Sequence, residues 1–331
     1  MEGLEFLERY SRQLLLKQFT PENQVKLLRS RVFVAGCGAL GSLVSEILAR
    51  TGIGNIIIAD YDFVEISNLH RTSLFDEEDA KLNRPKVLAC AEKLQKINNK
   101  INIKPIFTKI DNSNVEKMIE GVDLIIDALD NPYDKLLLNE ASFKTGIPMI
   151  YAGISGFYGT LMIISGKKGP CLECILSDHN NLNQCNMLGT TRITVDIVAS
   201  IEALLAIRLL LGEELYDQLI YVDAYNLHLE KFKVQQNPLC PTCSLRKFMR
   251  IYSTGNSYEC RSNIHEFKID NELVKKISNN IKGFTIISEN EFYVFGSVNG
   301  IQVILNKSGV LQVRTNDERE AKKIYDLITG S

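Results

Sequence analysis

The sequence is short of several features that would announce a function by themselves. Its formal net charge is −2, from 38 Lys and Arg against 40 Asp and Glu, so there is no basic footprint for general nucleic-acid binding. Its opening stretch, MEGLEFLERY, is charged and has no apolar core, so no signal peptide is expected. The longest apolar stretch, 197–211, is interrupted by Glu202 and Arg208. It is too short and too charged to cross a bilayer and is expected to be a buried helix. No internal repeat or low-complexity tract is visible, which argues against a repeat array. Histidine is scarce, with four in all; His70, His228 and His265 read as ordinary hydrogen-bonding residues. Cysteine is not scarce. Eight cysteines without an export signal point to a reducing, cytoplasmic setting, where thiols serve metal binding or chemistry rather than disulfides.

At 331 residues the chain allows one large domain and one small one. A hydrophobic fraction of 45% is enough for a full core. Residues 4–29 read as helical, with Pro21 placed to open a second helix. Strands at 32–35, 55–59, 103–108, 123–128 and 148–151 then alternate with helices at 40–51, 79–97, 113–120 and 133–144. The 79–97 helix carries an apolar stripe of Ala80, Val87, Ala91 and Leu94. Continuous apolar strands between helices predict an α/β fold, a doubly wound, mostly parallel sheet covered on both faces. From Gly153 the pattern changes. Segments 161–165, 219–225 and 229–234 read as antiparallel strands around a helix over 195–211. Beyond the basic run Arg246 to Arg250, short β-rich runs (FTIIS, FYVFG, IQVIL, LQVRT) alternate with turns such as Asn299-Gly300, and a helix over 317–328 follows. The expected division is 1–250 and 251–331, the second a small α+β module.

The densest information lies near the start. A strand leads into Gly36-Cys37-Gly38-Ala39-Leu40-Gly41, then a helix, a second strand, and Asp60 at its tip. This is the pattern of a nucleotide-binding turn: glycines admit phosphate to the backbone, the helix N-terminus favours negative charge, and the later acid holds a ribose. Alone the glycine pattern is weak, because a tight strand-to-helix turn needs glycines for steric reasons. The polar stretch that follows, Asp62, Ser67, Asn68 and Arg71, makes it specific, since a triphosphate needs such groups and a nicotinamide does not. Lys86 and the Asp130-Asn131 pair complete the set. Cations take up charge developing at phosphorus, and a carboxylate holds magnesium. Each of these alone reads as a surface charge; the ordered set, in loops leaving successive strands, does not.

Two further groups stand out. Cys171-x-x-Cys174 and Cys240-x-x-Cys243 are two hooks that supply four thiolates to a tetrahedral zinc. A redox CxxC is the rival, but it would leave the second pair unexplained. His179, near the first hook, is not needed as a ligand. Cys185, in the polar loop SDHNNLNQCNMLGTT before a helix, is a candidate nucleophile or an incidental thiol. Cys90 and Cys37 read as packed residues, and Cys260 has no identifiable partner. Arg12, alone, is a helix-surface arginine.

Together these residues resemble the ThiF/MoeB/HesA family, activators of ubiquitin-like sulfur-carrier proteins. The likeness runs over about residues 8 to 245. It includes RYSRQ from Arg9 to Gln13, GCGALG from Gly36 to Gly41, DYDFVEISNLHR from Asp60 to Arg71, RPK from Arg84 to Lys86, DALDN from Asp127 to Asn131, and both cysteine hooks. The resemblance implies a dimeric α/β enzyme that binds Mg-ATP and adenylates the C-terminal glycine carboxylate of a small carrier, releasing pyrophosphate. It implies that Gly36, Gly38, Ala39 and Gly41 pack against the nucleotide and that Asp60 holds the ribose. Asn68, Arg71 and Lys86 would contact phosphates, with Asp62 and Ser67 alongside, and Asp130 would coordinate magnesium beside Asn131. Arg12 would reach into the partner protomer's site. The implied partners are a second copy of the chain, a carrier of the ThiS or MoaD type with a Gly-Gly end, and a sulfur donor protein. Thiamine, molybdopterin or tRNA thiolation would lie downstream.

Two departures follow. Thr72 stands where the family usually has glutamine. Cys185 directly precedes Asn186-Met187-Leu188-Gly189, so it is in the family's cysteine loop but out of register, the expected position falling on Leu182. Either the loop is shortened with Cys185 still competent, or the protein only adenylates. The small module resembles an extension of some prokaryotic members and carries no assigned chemistry. Other functional classes are a tRNA-modifying dehydratase of the same superfamily, a nicotinamide oxidoreductase, and a non-catalytic scaffold. The cysteine hooks and lack of basic surface weigh against the first. Arg71, Lys86 and Asp130 weigh against the second, and the full phosphate set against the third.

Overall fold

A computed structural model describes residues 8–176, 189–253, 264–269, 284–289, 293–306, 309–315 and 317–329. The chain divides into two compact units, Met1–Tyr258 and Glu259–Ser331. The first is built on an eight-stranded sheet in the order β3-β2-β1-β4-β5-β6-β7-β8. Its strands are β1 (Arg31–Ala35), β2 (Asn55–Asp60), β3 (Asn102–Phe107), β4 (Leu124–Asp127), β5 (Met149–Ser155), β6 (Tyr158–Ile164), β7 (Gln218–Asp223) and β8 (His228–Lys233). Pairings from β3 to β5 are parallel, and those from β5 to β8 are antiparallel.

Both faces of the parallel part are covered, as the continuous apolar strands require. Phe33, Ala35, Ile57, Ala59 and Ile125 share a core with Val115, Leu136, Leu137 and Ala141, which lie on helices Val115–Met118 and Pro132–Thr145. The alternate residues Val32, Val34, Ile56, Ile58 and Ile126 are equally buried. Helices Ala39–Thr51, Lys86–Ile97 and Arg192–Leu210 pack on the sheet, and the first and last also pack on each other. From β1 the chain turns outward to β2 and β3, then returns to β4 on the other side of β1. The carboxyl ends of β1 and β4 therefore flank a topological switch point, the crevice where such sheets bind ligands.

Three local predictions are corrected. The single 79–97 helix is two helices, Glu77–Lys81 and Lys86–Ile97. Pro85 has no N–H and biases Arg84 away from helical geometry, and Asn83 adopts φ +45°. The apolar periodicity runs through this break, because Ala80 and Leu94 are buried on separate helices. The break makes Lys86 the first residue of its helix. Near the start, the second helix expected at Pro21 forms as Pro21–Arg29, capped by Thr20, but the stretch before it is not continuously helical: the described residues there are helical at 8–10 and then form only a short 3-10 turn, Gln13–Leu15. The strand at 148–151 extends to Ser155 and pairs with β6 in one long hairpin.

The second unit is a five-stranded antiparallel sheet in the order β10-β11-β12-β13-β9. These are β9 (Ile264–Lys268), β10 (Phe284–Glu289), β11 (Tyr293–Val298), β12 (Ile301–Asn306) and β13 (Val310–Arg314). One face, with Val294, Val303, Leu305, Leu311 and Val313, packs on Ala321, Ile324 and Ile328 of helix Glu318–Thr329. Ile251 is buried in the core of the first unit, and Asn112 donates to the Ser253 carbonyl at 2.5 Å, so that unit continues past residue 250. Among the described residues no helix is long and apolar enough to cross a membrane.

Candidate active site

The glycine turn divides its glycines by task. A Cβ on Gly36, which sits at φ +94°, would lie 2.6 Å from the Ala128 carbonyl oxygen, and one on Gly41 would lie 2.0 Å from the Gly36 carbonyl oxygen. These two are required by the turn's own packing. A Cβ on Gly38 would meet nothing within 4 Å. Gly38 instead opens onto free space at the first turn of helix Ala39–Thr51, which has no side-chain cap. Uncapped backbone N–H groups beside an open cradle suit an anion. Ala39 is the first helical residue there.

Asp60 ends β2 with its carboxylate fixed from both sides. Cys37 N–H donates to Oδ2 at 2.6 Å and Asp62 N–H to Oδ1 at 2.7 Å. Burial pushes its carboxyl up, against the pull of Lys86. Each oxygen still has a lone pair for a hydroxyl donor. Lys86 is buried, and its Nζ donates to Asp62 Oδ2 at 2.9 Å. Burial opposes its charge, yet Asp60, Asp62 and Asp130 together outweigh that and hold the ammonium above its ordinary range. Asp130 is exposed just past the end of β4. Asn131 caps helix Pro132–Thr145, its Oδ1 accepting from Tyr133 N–H at 2.8 Å.

The polar stretch after Asp60 folds as a tight local unit. Asn68 is buried, and its Oδ1 accepts from Glu65 N–H at 3.1 Å, closing the 3-10 turn Ile66–Asn68. Arg71 Nη1 donates back to the Ser67 carbonyl at 2.6 Å. Thr72 is buried with its hydroxyl on the Asn68 carbonyl at 3.1 Å. The structure thus brings the glycine turn, Asp60, Asp62, Lys86 and Asp130 to one crevice, with the Asn68–Arg71 loop beginning a few residues beyond Asp62. It does not bring Arg12 into polar contact with any described residue of its own chain. Arg12 stands exposed, while its neighbours are anchored: Tyr10 is buried, Arg9 Nη1 reaches the Ile97 carbonyl, and Gln13 Nε2 reaches the Thr51 carbonyl at 3.0 Å.

Sequence reasoning missed the support beneath Asp130. Asp127 is fully buried, accepts from Leu129 N–H at 3.1 Å, and receives Lys135 Nζ on both oxygens at 3.2 Å. The third Lys135 proton goes to the Ala152 carbonyl at 2.8 Å. Glu202 is also fully buried, with neither carboxylate oxygen partnered among the described residues. Desolvation, reinforced by Asp127, holds its carboxyl well above the usual range. The signal available was Glu202 itself, a carboxylate in the middle of a buried apolar helix.

The cysteine hooks converge. Cys171 and Cys240 sulfurs lie 3.6 Å apart, Cys174 and Cys243 sulfurs 3.4 Å apart, and all four fall within 4.8 Å of one another. A tetrahedron of sulfurs about 2.3 Å from zinc has edges of about 3.8 Å, so the quartet fits. Four such thiols cannot all ionise without a cation between them. Around the quartet, Thr242 donates to Glu173 at 2.5 Å, and Arg250 bridges Glu173 and Glu140 at 2.9 and 2.8 Å. Leu172 N–H reaches Asn139 Oδ1 at 3.1 Å and Arg246 reaches the Phe143 carbonyl at 2.8 Å. Asn139, Glu140 and Phe143 all belong to helix Pro132–Thr145. Cys37 and Cys90 are buried. Cys185, Cys260 and His179 lie outside the described residues.

With this geometry in hand, the comparisons with known proteins are specific. Residues 10–242 match the model of the ThiF family. The chain is 29% identical to the sulfur carrier protein ThiS adenylyltransferase of Bacillus subtilis, across 96% of this chain and 98% of that protein. It is 33% identical to the SAMP-activating enzyme E1 of Haloferax volcanii, over 72% of this chain and 88% of that one. It is 31% identical to the molybdopterin-synthase adenylyltransferase of Escherichia coli, over 71% and 95%. Among solved structures, E. coli MccB with ATP matches with a TM-score of 0.63 and 28% identity, covering 71% of this chain and 74% of that one. This chain therefore belongs to the ThiF family.

Proposed function

We propose that this protein uses ATP to adenylate the C-terminal glycine carboxylate of a ubiquitin-like sulfur carrier ending in Gly-Gly, releasing pyrophosphate. One observation carries the reading: Asp60, Asp62, Lys86 and Asp130 meet at the switch point beside the open space at Gly38. The adenylyltransferases of Bacillus subtilis and Escherichia coli, matched over nearly their whole length, point the same way.

In this reading the Asp60 carboxylate accepts the ribose hydroxyls. The uncapped helix turn at Gly38 and Ala39 faces a phosphate. Asn68, Arg71 and Lys86 neutralise charge on the triphosphate, and Ser67 supports Arg71 through its carbonyl. Asp130 is the carboxylate that would hold magnesium, which supplies further charge neutralisation when bound. The attacking group is a carboxylate meeting an anionic phosphate, so charge compensation and in-line placement provide most of the rate. No side chain needs to form a covalent bond. Lys86 must release Asp62 or share it when phosphate arrives, and its anionic neighbours keep it charged for that role.

Two partners complete the reading. Arg12 is exposed and meets no polar partner among the described residues of its own chain, which fits a guanidinium contributed across a homodimer. The carrier docks on the antiparallel side of the sheet. Gly159 faces Val198 of helix Arg192–Leu210, so by strand alternation and the pairing registers Tyr158, Tyr221 and Phe232 stand on the opposite face; Tyr158 and Phe232 are exposed, and the two tyrosine rings stack at 6.0 Å. Exposed aromatics on adjacent strands mark a protein-binding surface. The cysteine quartet holds zinc as a structural clamp, and the protein works in the cytoplasm. Pyrophosphate exchange with candidate carriers tests the whole reading. Exchange that requires one carrier and magnesium supports it; its absence in protein that binds ATP overturns it in favour of a different carboxylate substrate.

A further inference from the structure

Arg192 has no part in the reading above, yet it grips the segment that carries Arg71. It is the first residue of helix Arg192–Leu210, after the Thr191 cap. Its Nε donates to Asp196 Oδ1 at 2.5 Å one turn later, which fixes the guanidinium plane. Its Nη1 then reaches 120 residues back in sequence and donates to the Thr72 carbonyl at 2.9 Å. Thr72 adjoins Arg71. The same segment is tied on its other side, where Ser73 hydrogen-bonds Glu46 and Ser42 of helix Ala39–Thr51. The start of the Arg192 helix is itself joined to the hairpin bearing the aromatic face. Gly156 N–H donates to the Gly189 carbonyl at 2.8 Å, and Gly156 and Thr190 form a bridge. Phe157 and Tyr158 follow directly, and the Phe157 ring packs on Tyr225 at 5.2 Å.

These contacts form one connected path: aromatic face, Gly156, Gly189 to Thr191, Arg192, Thr72, Arg71. We propose that Arg192 is a positioning residue that sets Arg71 for the triphosphate and ties that setting to the face where the carrier docks. The inference rests on the reading of Arg71 as a phosphate contact. A guanidinium suits the task because its planar fork holds Asp196 and the Thr72 carbonyl at once, which a lysine does only in part.

The test is a double-mutant cycle on the full-length protein, read by carrier-dependent ATP–pyrophosphate exchange. Arg192→Ala should lower kcat by about tenfold or more with the KM for carrier little changed, and Arg192→Lys should recover part of the loss. In an Arg71→Ala background, Arg192→Ala should add little, because its effect passes through Arg71. Melting temperatures of the single variants show whether a loss is merely structural. A full additional loss in the Arg71→Ala background, or a kcat unchanged by Arg192→Ala, overturns the inference and leaves the reading of Arg71 standing. If Arg71→Ala is itself silent, the assignment of Arg71 falls first, and the inference falls with it.

Discussion

Helix Pro132–Thr145 has two different ends. At its N-terminus, Asn131 caps the helix, Asp130 stands exposed, and the crevice beside Gly38 is open. In its second half, Asn139, Glu140 and Phe143 are buried and bonded to the cysteine hooks and to Arg246 and Arg250. The first end leaves charge available; the second leaves very little. Glu140 shows the difference: burial pushes its carboxyl up, while the Ile251 and Arg250 N–H groups and the Arg250 guanidinium pull it down. Its oxygens accept from Arg250 and Ile251, whereas Asp130 stands exposed. Catalytic residues need unmet electrostatic capacity, and the structure can tolerate it where a rigid, satisfied region holds the same helix in place.

The two ends of the helix should respond differently to substitution. The largest effect belongs to the open end. Asp130→Ala should abolish magnesium-dependent adenylation, a loss of about 100-fold or more, while the melting temperature stays near that of the parent. Near-normal activity would remove Asp130 from the mechanism, and a large loss of stability would remove the contrast itself.

The closed end should answer in the opposite sense. Metal analysis should find about one zinc per chain. Cys240→Ser should lower the melting temperature by on the order of 10 °C, from the loss of a few kcal/mol at about 2–4 °C each. A metal-free protein of unchanged stability contradicts the clamp. Next comes a recovery rather than a loss. Arg12→Ala chains mixed with Asp130→Ala chains should regain part of the activity if each site borrows Arg12 from its partner. No recovery in heterodimers shown to form places Arg12 outside the shared site.

Smaller effects mark the edges of the open region. Tyr158→Ala or Phe232→Ala should raise the KM for carrier about tenfold, equivalent to about 1.4 kcal/mol, and leave ATP affinity unchanged; weakened ATP binding instead would relocate the docking face. The least of these concerns Asp134, in the first turn of the same helix. Burial pushes its carboxyl up to about 6 from an ordinary value of 3.8. The folded state therefore binds this proton more tightly than the unfolded chain, so the group's contribution to stability falls as pH rises from about 4 to 6. Asp134→Asn should remove that slope, shifting the stability difference from wild type by on the order of 1–2 kcal/mol over this window. Denaturation curves at pH 4 and 6 check it, and parallel curves for the two proteins refute it.

What the sequence made legible follows from the kind of constraint. The turn at Gly36 and Gly41 admits no Cβ, and each CxxC spacing lets two sulfurs of one loop face the same point, so both appear as fixed local patterns. Asp60 follows from strand length. The parallel sheet follows from apolar runs at β1, β2 and β4. Contacts between distant segments left little trace. Lys135, within the predicted helix 133–144, carries no signal of its own until the fold sets it on Asp127, and Arg192, ahead of the predicted helix 195–211, carries none until Thr72 is brought to it. Even local patterns misled: the apolar stripe across 79–97 matched a single helix, and Pro85 with Asn83 broke it. The register of Cys185 remains a sequence observation, since that cysteine lies outside the described residues.

The central claim is tested most directly by ATP–pyrophosphate exchange with a panel of Gly-Gly-ending carrier proteins from the same genome. The account predicts exchange that depends on magnesium and on one carrier, and that disappears in Asp130→Ala. No exchange with any carrier, by protein shown to bind ATP, would contradict it.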